Sequence, residues 1–184
     1  MRYLPVLALG LVALLSSSSL SQNAVPVRLA SADNIEDLFR PRVVVPNDRA
    51  TIDSLEHRAF ELINRTREKN GLEPLKWNDQ LEGVARGHSA SMAQFQYFSH
   101  KGMDNKMVSD RADDAHVGPW RSIGENIAFS RGYADPVNLA LELWLDSPSH
   151  RRNMLDANWK ESAIGVAVSD DGSYYFTQVF LLRK

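Results

Sequence analysis

The chain contains no cysteine and has no large excess of charge of either sign. Its 184 residues include 21 Lys and Arg against 23 Asp and Glu, which gives a formal net charge of −2 at pH 7. Without cysteine, a disulfide scaffold, a thiolate metal cluster and a cysteine nucleophile are all excluded. The near balance of charge argues against a nucleic-acid partner, because such proteins usually carry an excess of Lys and Arg. Apolar residues make up 43% of the chain, enough for a globular core.

The N-terminal apolar run is too short to form a membrane-spanning helix. It extends from Tyr3 to Leu15 and is preceded by Arg2 and followed by a serine-rich stretch. A spanning helix needs roughly 20 apolar residues, whereas a secretory signal has a charged start, a short apolar region and small residues at its exit. Residues 1–24 are therefore predicted to be a signal peptide, with an uncleaved N-terminal anchor as the alternative. A secreted chain without disulfides is more typical of bacteria than of animals or plants.

The remaining chain is predicted to be a linker over 25–50 and one folded domain over 51–184. The linker contains three prolines, a short apolar turn at Ile35–Phe39 and the valine run Val43–Val45, which is able to dock on the domain as an extended segment. No further transmembrane segment is predicted in the mature chain.

Helices come first in the domain and a hairpin closes it. Helices are predicted over 53–69 and 79–97 and after Asp135-Pro136, which is a strong start signal. In the second helix, His88 shares the apolar stripe with Phe95 and is predicted to be a core residue. The strands predicted over 163–169 and 173–182 carry apolar residues on both faces, which must therefore both be covered. These features predict an α+β fold, a three-layer α-β-α sandwich with a central antiparallel sheet.

Four short motifs, in order along the chain, resemble those of the CAP superfamily. This superfamily, also called the SCP domain, comprises cysteine-rich secretory proteins, antigen 5 and plant pathogenesis-related proteins. The resemblance covers about 53–182 and is closest to a bacterial, cysteine-free branch. The motifs are Phe98-Ser99-His100, Gly124-Glu125-Asn126-Ile127, the stretch Trp144–Leu155 and the strand Tyr174–Phe180.

The resemblance implies an α-β-α sandwich and a cleft that holds two histidines and two acids. Carried over one at a time, the histidines fall on His100 and His150, and one acid falls on Glu125. The second acid falls on Ser147, which cannot replace a carboxylate. Any mechanism that needs both acids is therefore in doubt for this chain.

Two imidazoles and a carboxylate together form a recognised set of zinc ligands, with a fourth position open to water. The cofactor predicted from this set is Zn²⁺ or another divalent metal, held by His100 and His150. Glu125 is predicted to be either the third metal ligand, or a general base that lies behind the ligands and orients them. It is therefore the candidate catalytic residue.

The predicted function is a secreted, extracellular or periplasmic protein whose His/Glu cleft binds a divalent metal and a small lipid, glycan or peptide ligand. Trp120 and Tyr133 are candidates for the cleft lining, with Arg151 and Arg152 beside it. Two alternatives stay open, a zinc-dependent extracellular hydrolase and a structural extracellular interaction domain.

Overall fold

The structure, a computed structural model, describes residues 48–184. The predicted signal peptide and residues 25–47 of the predicted linker lie outside this range. Five helices and four strands make up the described chain. They are α1 (Arg49–Lys69), β1 (Lys76–Trp77), α2 (Asp79–Phe95), α3 (Val108–Asp114), β2 (Trp120–Arg131), α4 (Pro136–Asp146), α5 (Pro148–Met154), β3 (Glu161–Val168) and β4 (Ser173–Arg183).

The four strands form one sheet in the order β1-β3-β4-β2. β4 lies in the middle and pairs antiparallel with both β2 and β3. The short strand β1 pairs parallel with β3 at Glu161 and Ser162, so the sheet is mixed rather than wholly antiparallel. Parallel pairing is open to β1 because a long stretch of chain, including four helices, separates it from β3.

Helices cover both faces of the sheet, which confirms the predicted α+β sandwich. One face packs against α1, α4 and α5 through a core that includes Ile164, Phe176, Phe180 and Trp144. The opposite face packs against α2 and α3 through two smaller clusters. Their buried members include Leu81, Val84, Ala85, Met92, Ala112, Ala163, Val179 and Leu181. The two-faced apolar pattern of β3 and β4 is thus explained by burial on both sides.

The helix boundaries follow the capping residues. α1 begins at Arg49, four residues before the predicted start, because the Asp48 carboxylate accepts a hydrogen bond from the Thr51 N–H (2.9 Å). Asn78 caps α2, and Asp135 caps α4 as predicted. α2 ends at Phe95, which is 56% exposed and lies outside the core, contrary to its predicted place on the buried stripe.

His88 is a core residue, as its place on the apolar stripe of α2 predicted. Its side chain is 1% exposed, and Nε2–H donates to the Ser99 carbonyl at 2.9 Å. This bond links α2 to the turn that carries His100. Among residues 48–184, no helix is both long and apolar enough to cross a membrane.

Candidate functional site

His100 and Glu125 form a hydrogen-bonded pair at the edge strand β2 of the sheet. His100 lies in the turn after α2, and Glu125 lies in the middle of β2. The His100 Nδ1–H donates to Glu125 Oε1 at 2.8 Å. The Glu125 side chain is 3% exposed, whereas that of His100 is 42% exposed. In the neutral imidazole this bond leaves the lone pair on Nε2, the ring nitrogen away from the carboxylate.

Arg111 balances the buried charge of Glu125. No sequence motif had indicated a role for Arg111. Its Nη2 donates to Glu125 Oε2 at 2.5 Å, and its Nη1 donates to the carbonyls of His100 (3.2 Å) and Lys106 (2.8 Å). A buried carboxylate needs such a partner, because an unpaired charge in the interior is costly. Arg111 therefore fixes both the carboxylate and the loop that carries the histidine.

His150 lies opposite His100, on the short helix α5. The two ring centroids are 6.1 Å apart, and the rings are inclined by 50°. Burial, and secondarily the nearby His100, lower the pKa of His150 below its ordinary value of 6.5. His150 is therefore neutral at pH 7, the form in which imidazole binds metals or accepts hydrogen bonds.

Two asparagines hold α5, which carries His150, against β2. Asn126 Nδ2 donates to the His150 carbonyl at 3.0 Å. Asn153 Nδ2 donates to Asn126 Oδ1 (3.0 Å) and to the Glu125 carbonyl (3.2 Å). Both asparagines lie within the motifs that carry the family resemblance. Their role in connecting α5 to β2 is visible only in the folded structure and not in the motifs.

An apolar groove opens beside His150. Its volume is about 500 Å³. Most of its wall is aromatic or aliphatic, and Ser147 and His150 supply polar groups at its margin. We call it the ligand groove; it is lined by Gln96, Tyr97, Phe98, Ile127, Ala128, Phe129, Leu143, Ser147, His150 and Tyr175.

Several wall residues of the ligand groove are exposed. Phe98 is 52% exposed, Leu143 42% and Phe129 40%. Phe98 contacts Phe129 with ring centroids 6.1 Å apart, and Phe129 contacts Tyr175 at 5.0 Å. A continuous aromatic wall open to solvent favours binding of an apolar ligand, because exposed apolar clusters of this kind commonly mark binding sites.

The structure brings together His100, Glu125 and His150, whereas Trp120 and Tyr133 do not line the ligand groove. Trp120 packs at the edge of the α2-side core, and its Nε1–H donates to Asp113 at 3.1 Å. Tyr133 is 60% exposed in the turn after β2. Ser147 lies between α4 and α5 at the groove margin, where its hydroxyl contacts that of Ser149 (3.2 Å).

The donor chemistry favours a two-imidazole metal site over one in which Glu125 is itself a ligand. Both carboxylate oxygens of Glu125 are engaged, one by His100 and the other by Arg111. Among residues 48–184, no group of three or more His, Cys, Asp or Glu side chains is arranged to hold a metal ion. A carboxylate behind a ligating histidine is a common way to orient the ring, and Glu125 occupies that position relative to His100.

Comparison with known proteins identifies the family. The profile of the Cysteine-rich secretory protein family (CAP) matches residues 60–180. The uncharacterized membrane protein YlbC of Bacillus subtilis is 34% identical over 148 residues, which cover 80% of this chain and 40% of that protein. This chain spans less than half the length of the curated relatives that it matches.

Solved structures agree with this assignment. An extracellular protein containing a SCP domain from Bacillus anthracis superimposes with a TM-score of 0.62 and 31% identity, over 75% of this chain and 45% of that one. An outer surface protein from Borrelia burgdorferi, at 20% identity, shares the fold with a TM-score of 0.63, over 70% of this chain and 92% of that one. The chain belongs to the CAP family, and the predicted bacterial origin agrees with its relatives.

Proposed function

We propose that this chain is an exported binding protein that holds a long-chain lipid in the ligand groove, with the polar end of the lipid beside His100 and His150. The observation that carries the proposal is the continuity of the apolar wall with His150. Export is supported by the character of residues 1–24. N-terminal sequencing of the protein recovered outside the producing cell tests export, and a chain that still begins at Met1 would contradict signal cleavage.

The composition of the groove favours an acyl chain over a glycan. A glycan needs many convergent hydrogen-bonding groups, whereas the polar side chains that line this groove are Gln96, Ser147 and His150, with Tyr97 and Tyr175 adding a hydroxyl each. A volume of about 500 Å³ is ordinary for a small-molecule site. Burial of each methylene contributes about 0.8 kcal/mol, so a long chain gains affinity from length alone.

A series of saturated fatty acids tests the lipid proposal. Each extension by two carbons should tighten binding by about tenfold until the groove is filled. Calorimetry or displacement of a fluorescent fatty acid measures this, with and without chelator. Affinity that is independent of chain length, or lost with chelator, would contradict a metal-free lipid site.

Two exposed phenylalanines provide a matched pair of variants. Phe98 lines the ligand groove and is 52% exposed, whereas Phe95 is 56% exposed and does not line it. Phe98→Ala should weaken fatty-acid binding by roughly ten- to a hundredfold, as expected for loss of about 1–3 kcal/mol of apolar contact. Phe95→Ala should leave affinity unchanged. Equal losses in both variants would place the ligand elsewhere.

A divalent metal between His100 and His150 is the second candidate. On one tetrahedral zinc, two imidazole centres lie roughly 5 Å apart, so the observed 6.1 Å needs only a small closing movement. The lowered pKa of His150 favours its neutral, metal-binding form, and the Glu125 bond to His100 Nδ1 orients that ring with Nε2 away from the carboxylate. The metal, when bound, would act as a Lewis acid toward the polar end of the ligand.

Zinc titration at pH 7.5 and pH 5.5 tests the metal site. His100→Ala and His150→Ala should each abolish one-to-one binding at pH 7.5, and binding by the unaltered protein should weaken at pH 5.5 because protonated imidazole is no ligand. His116→Asn serves as the control, since His116 contacts the Asp113 carbonyl and belongs to neither the pair nor the groove. Unchanged titration in both alanine variants would exclude this site.

The geometry gives less support to the hydrolase alternative. A general base needs a free carboxylate oxygen within reach of the attacking water, and both oxygens of Glu125 are engaged. Glu125→Gln tested on a peptide and ester panel addresses it directly, since a hydrolase would lose turnover.

A further inference from the structure

A second cavity lies at the beginning of β2, at the other end of this strand from the ligand groove. Its volume is about 260 Å³. The ligand groove contacts β2 at residues 127–129, whereas this cavity contacts it at Arg121 and Ser122, and no residue lines both. We call it the polar cavity; it is lined by Arg121, Ser122, Asp156, Asn158, Trp159 and Leu182.

A β-bulge explains why two successive residues of β2 line the same cavity. Successive side chains of a regular strand point to opposite faces of the sheet. Trp120 pairs with Arg183 and Ser122 pairs with Leu182, so Arg121 is an extra residue on the β2 side of the ladder. A bulge of this kind bends the strand and changes the direction of a side chain, and bulges are common at sheet edges and beside functional sites. Arg121 and Ser122 are thereby brought to one wall.

The segment between α5 and β3 supplies another part of the wall. Asp156 Oδ1 accepts hydrogen bonds from the Asn158 N–H (2.8 Å) and from Asn158 Nδ2 (2.7 Å). These bonds form a turn in which an aspartate side chain binds the backbone two residues ahead, and they hold both side chains in place. Within residues 48–184, Asp156 Oδ2 and Asn158 Oδ1 accept no hydrogen bond, so both oxygens are open to a ligand.

The polar groups of this wall include donors as well as acceptors. Arg121 is exposed and forms no ion pair within residues 48–184, whereas Arg183 at the end of β4 is engaged by Glu161 (2.8 Å). Asp156 also forms no ion pair in this part of the chain, so the wall carries one charge of each sign and the two are not paired with each other. Ser122 adds a hydroxyl, which both donates and accepts.

Trp159 and Leu182 form the apolar part of the polar cavity. The Trp159 ring is stacked on Phe180, with centroids 5.7 Å apart and planes inclined by 24°. It also touches Gly124, where an added Cβ atom would lie 2.9 Å from Trp159 Cζ2. These contacts fix the indole in place, so the cavity has a rigid aromatic side.

One donor of the wall has no partner in the described chain. Trp159 is only 9% exposed, and its Nε1–H is buried without an acceptor. Buried polar groups are nearly always paired with protein or with ordered water. A ligand oxygen, or a water molecule that the ligand holds, provides the acceptor that residues 48–184 do not supply. This observation is independent of the side-chain composition and also indicates a polar occupant.

The wall matches a neutral sugar more closely than an ion or a lipid. Each hydroxyl of a sugar both donates and accepts, which suits a wall that offers a guanidinium, a hydroxyl, an amide and a carboxylate. One charge of each sign leaves no net charge to select a simple anion or cation. The volume lies just below the roughly 300–1,000 Å³ of sites for drug-sized ligands, which suits one ring.

We propose that the polar cavity binds a single neutral sugar ring, with the hydroxyls of the sugar toward Arg121, Ser122 and Asp156 and its C–H face on Trp159. The site uses neither the histidine pair nor the aromatic wall of the ligand groove, and so does not depend on the proposed function. It gives the domain a second ligand of different chemistry from the lipid.

NMR titration of the full chain with glucose and with N-acetylglucosamine tests this proposal. With at least one of them the Trp159 indole N–H resonance should shift saturably, with a dissociation constant in the millimolar range expected for one small ring. The Trp144 indole, which donates to the Ile127 carbonyl at 2.9 Å, is the internal control and should not shift. A Trp159→Phe variant assigns the resonance.

Two variants locate the sugar within the cavity. Arg121→Ala and Asp156→Asn should each weaken binding by about tenfold or more, as expected for loss of a hydrogen bond to a charged group. Asp156→Asn retains an oxygen for the Asn158 turn, so the segment should keep its fold. Arg65→Ala removes an exposed arginine of α1 that does not line the cavity, and it should leave the affinity unchanged.

Absence of a saturable Trp159 shift with both sugars would overturn the proposal, and so would an unchanged affinity in Arg121→Ala. Sodium phosphate and glycine are titrated in parallel, and a Trp159 shift as strong as that caused by the sugars would overturn it in favour of a site for ions. Fatty-acid binding should be the same in Arg121→Ala as in the unaltered protein, so failure of this proposal is distinguishable from failure of the lipid proposal.

Discussion

At the scale of single residues, the site depends on how its charges are paired. Glu125 is buried and shares its two oxygens between His100 and Arg111. His100 is held by its Nδ1, while His150 lies at the margin of the ligand groove without a carboxylate partner among the described residues. The two histidines therefore differ in environment although both come from family motifs.

This difference leads to a prediction for the titration of His150. Burial is the larger cause of its lowered pKa, and the neighbouring His100 is the smaller one. His100→Gln should therefore raise the pKa of His150 while leaving it below 6.5, because only the smaller cause is removed. NMR titration of the His150 ring protons measures this, with Lys101→Gln as a control that should cause no shift.

The sign of the effect on stability follows from the same pKa. Since the folded-state pKa lies below that of the unfolded chain, the unfolded chain binds this proton more readily. The contribution of neutral His150 to stability is present above about pH 6.5 and decreases as the pH falls. A folded-state pKa at or above about 6.5 would contradict the proposed environment.

At the scale of elements, α2 and β3 approach each other closely enough to touch through their backbones. Gly165 lies in β3 directly beneath Ala85 and Arg86 of α2. A Cβ atom added at Gly165 would lie 2.2 Å from the Ala85 carbonyl carbon and from the Arg86 nitrogen. The absence of a side chain at this position is therefore what allows the helix to pack on the strand.

Gly165→Ala should consequently destabilise the protein by more than about 3 kcal/mol or prevent folding, because both clashing atoms belong to backbone that cannot move aside. Gly83→Ala is the matched control, since a Cβ there meets no atom within 4 Å. It should stabilise α2 by up to about 1 kcal/mol, because alanine is the better helix former. Urea denaturation measures both, and a mild effect of Gly165→Ala would show that α2 moves away from the sheet easily.

At the scale of the whole molecule, a cluster of ion pairs ties α1 to α2 around the edge of the sheet. Glu56 of α1 is fully buried and accepts hydrogen bonds from Arg86 of α2 (2.8 Å from Nε) and from the Val166 N–H of β3 (2.9 Å). Arg86 also contacts Asp53 and Glu82. Three elements from different layers thus meet at a single carboxylate.

Glu56→Ala should cost about 1–3 kcal/mol, because it leaves the buried Val166 N–H without its acceptor, whereas Arg86 keeps its contacts with Asp53 and Glu82. Glu61→Ala, in the exposed pair with Arg65 on the same helix, should change stability little. Thermal or urea unfolding of the two variants provides the comparison. Similar small effects would mean that the layers are held by apolar packing alone.

Much of the architecture could be predicted from the sequence because it depends on local and periodic features. The helix starts at Asn78 and Asp135 follow from side chains that bond their own backbone, and the hairpin follows from strand patterns on either side of Gly172. The two covered faces follow from strands that are apolar on both sides. The start of α1 was missed, since the helix was predicted to begin at residue 53, whereas Asp48 caps it and Asp53 and Glu56 contact Arg86 instead.

Sequence patterns were sufficient for the fold class and the family, and they pointed to His100, Glu125 and His150, which the structure places near one another. How those residues interact depends on the folded chain. Arg111 lies 14 positions from Glu125, and nothing in the local sequence requires the two to meet. The ligand groove joins the turn after α2 to residues of β2, α4, α5 and β4. Such sites arise from packing between elements, and packing is a property of the tertiary structure that no single segment encodes.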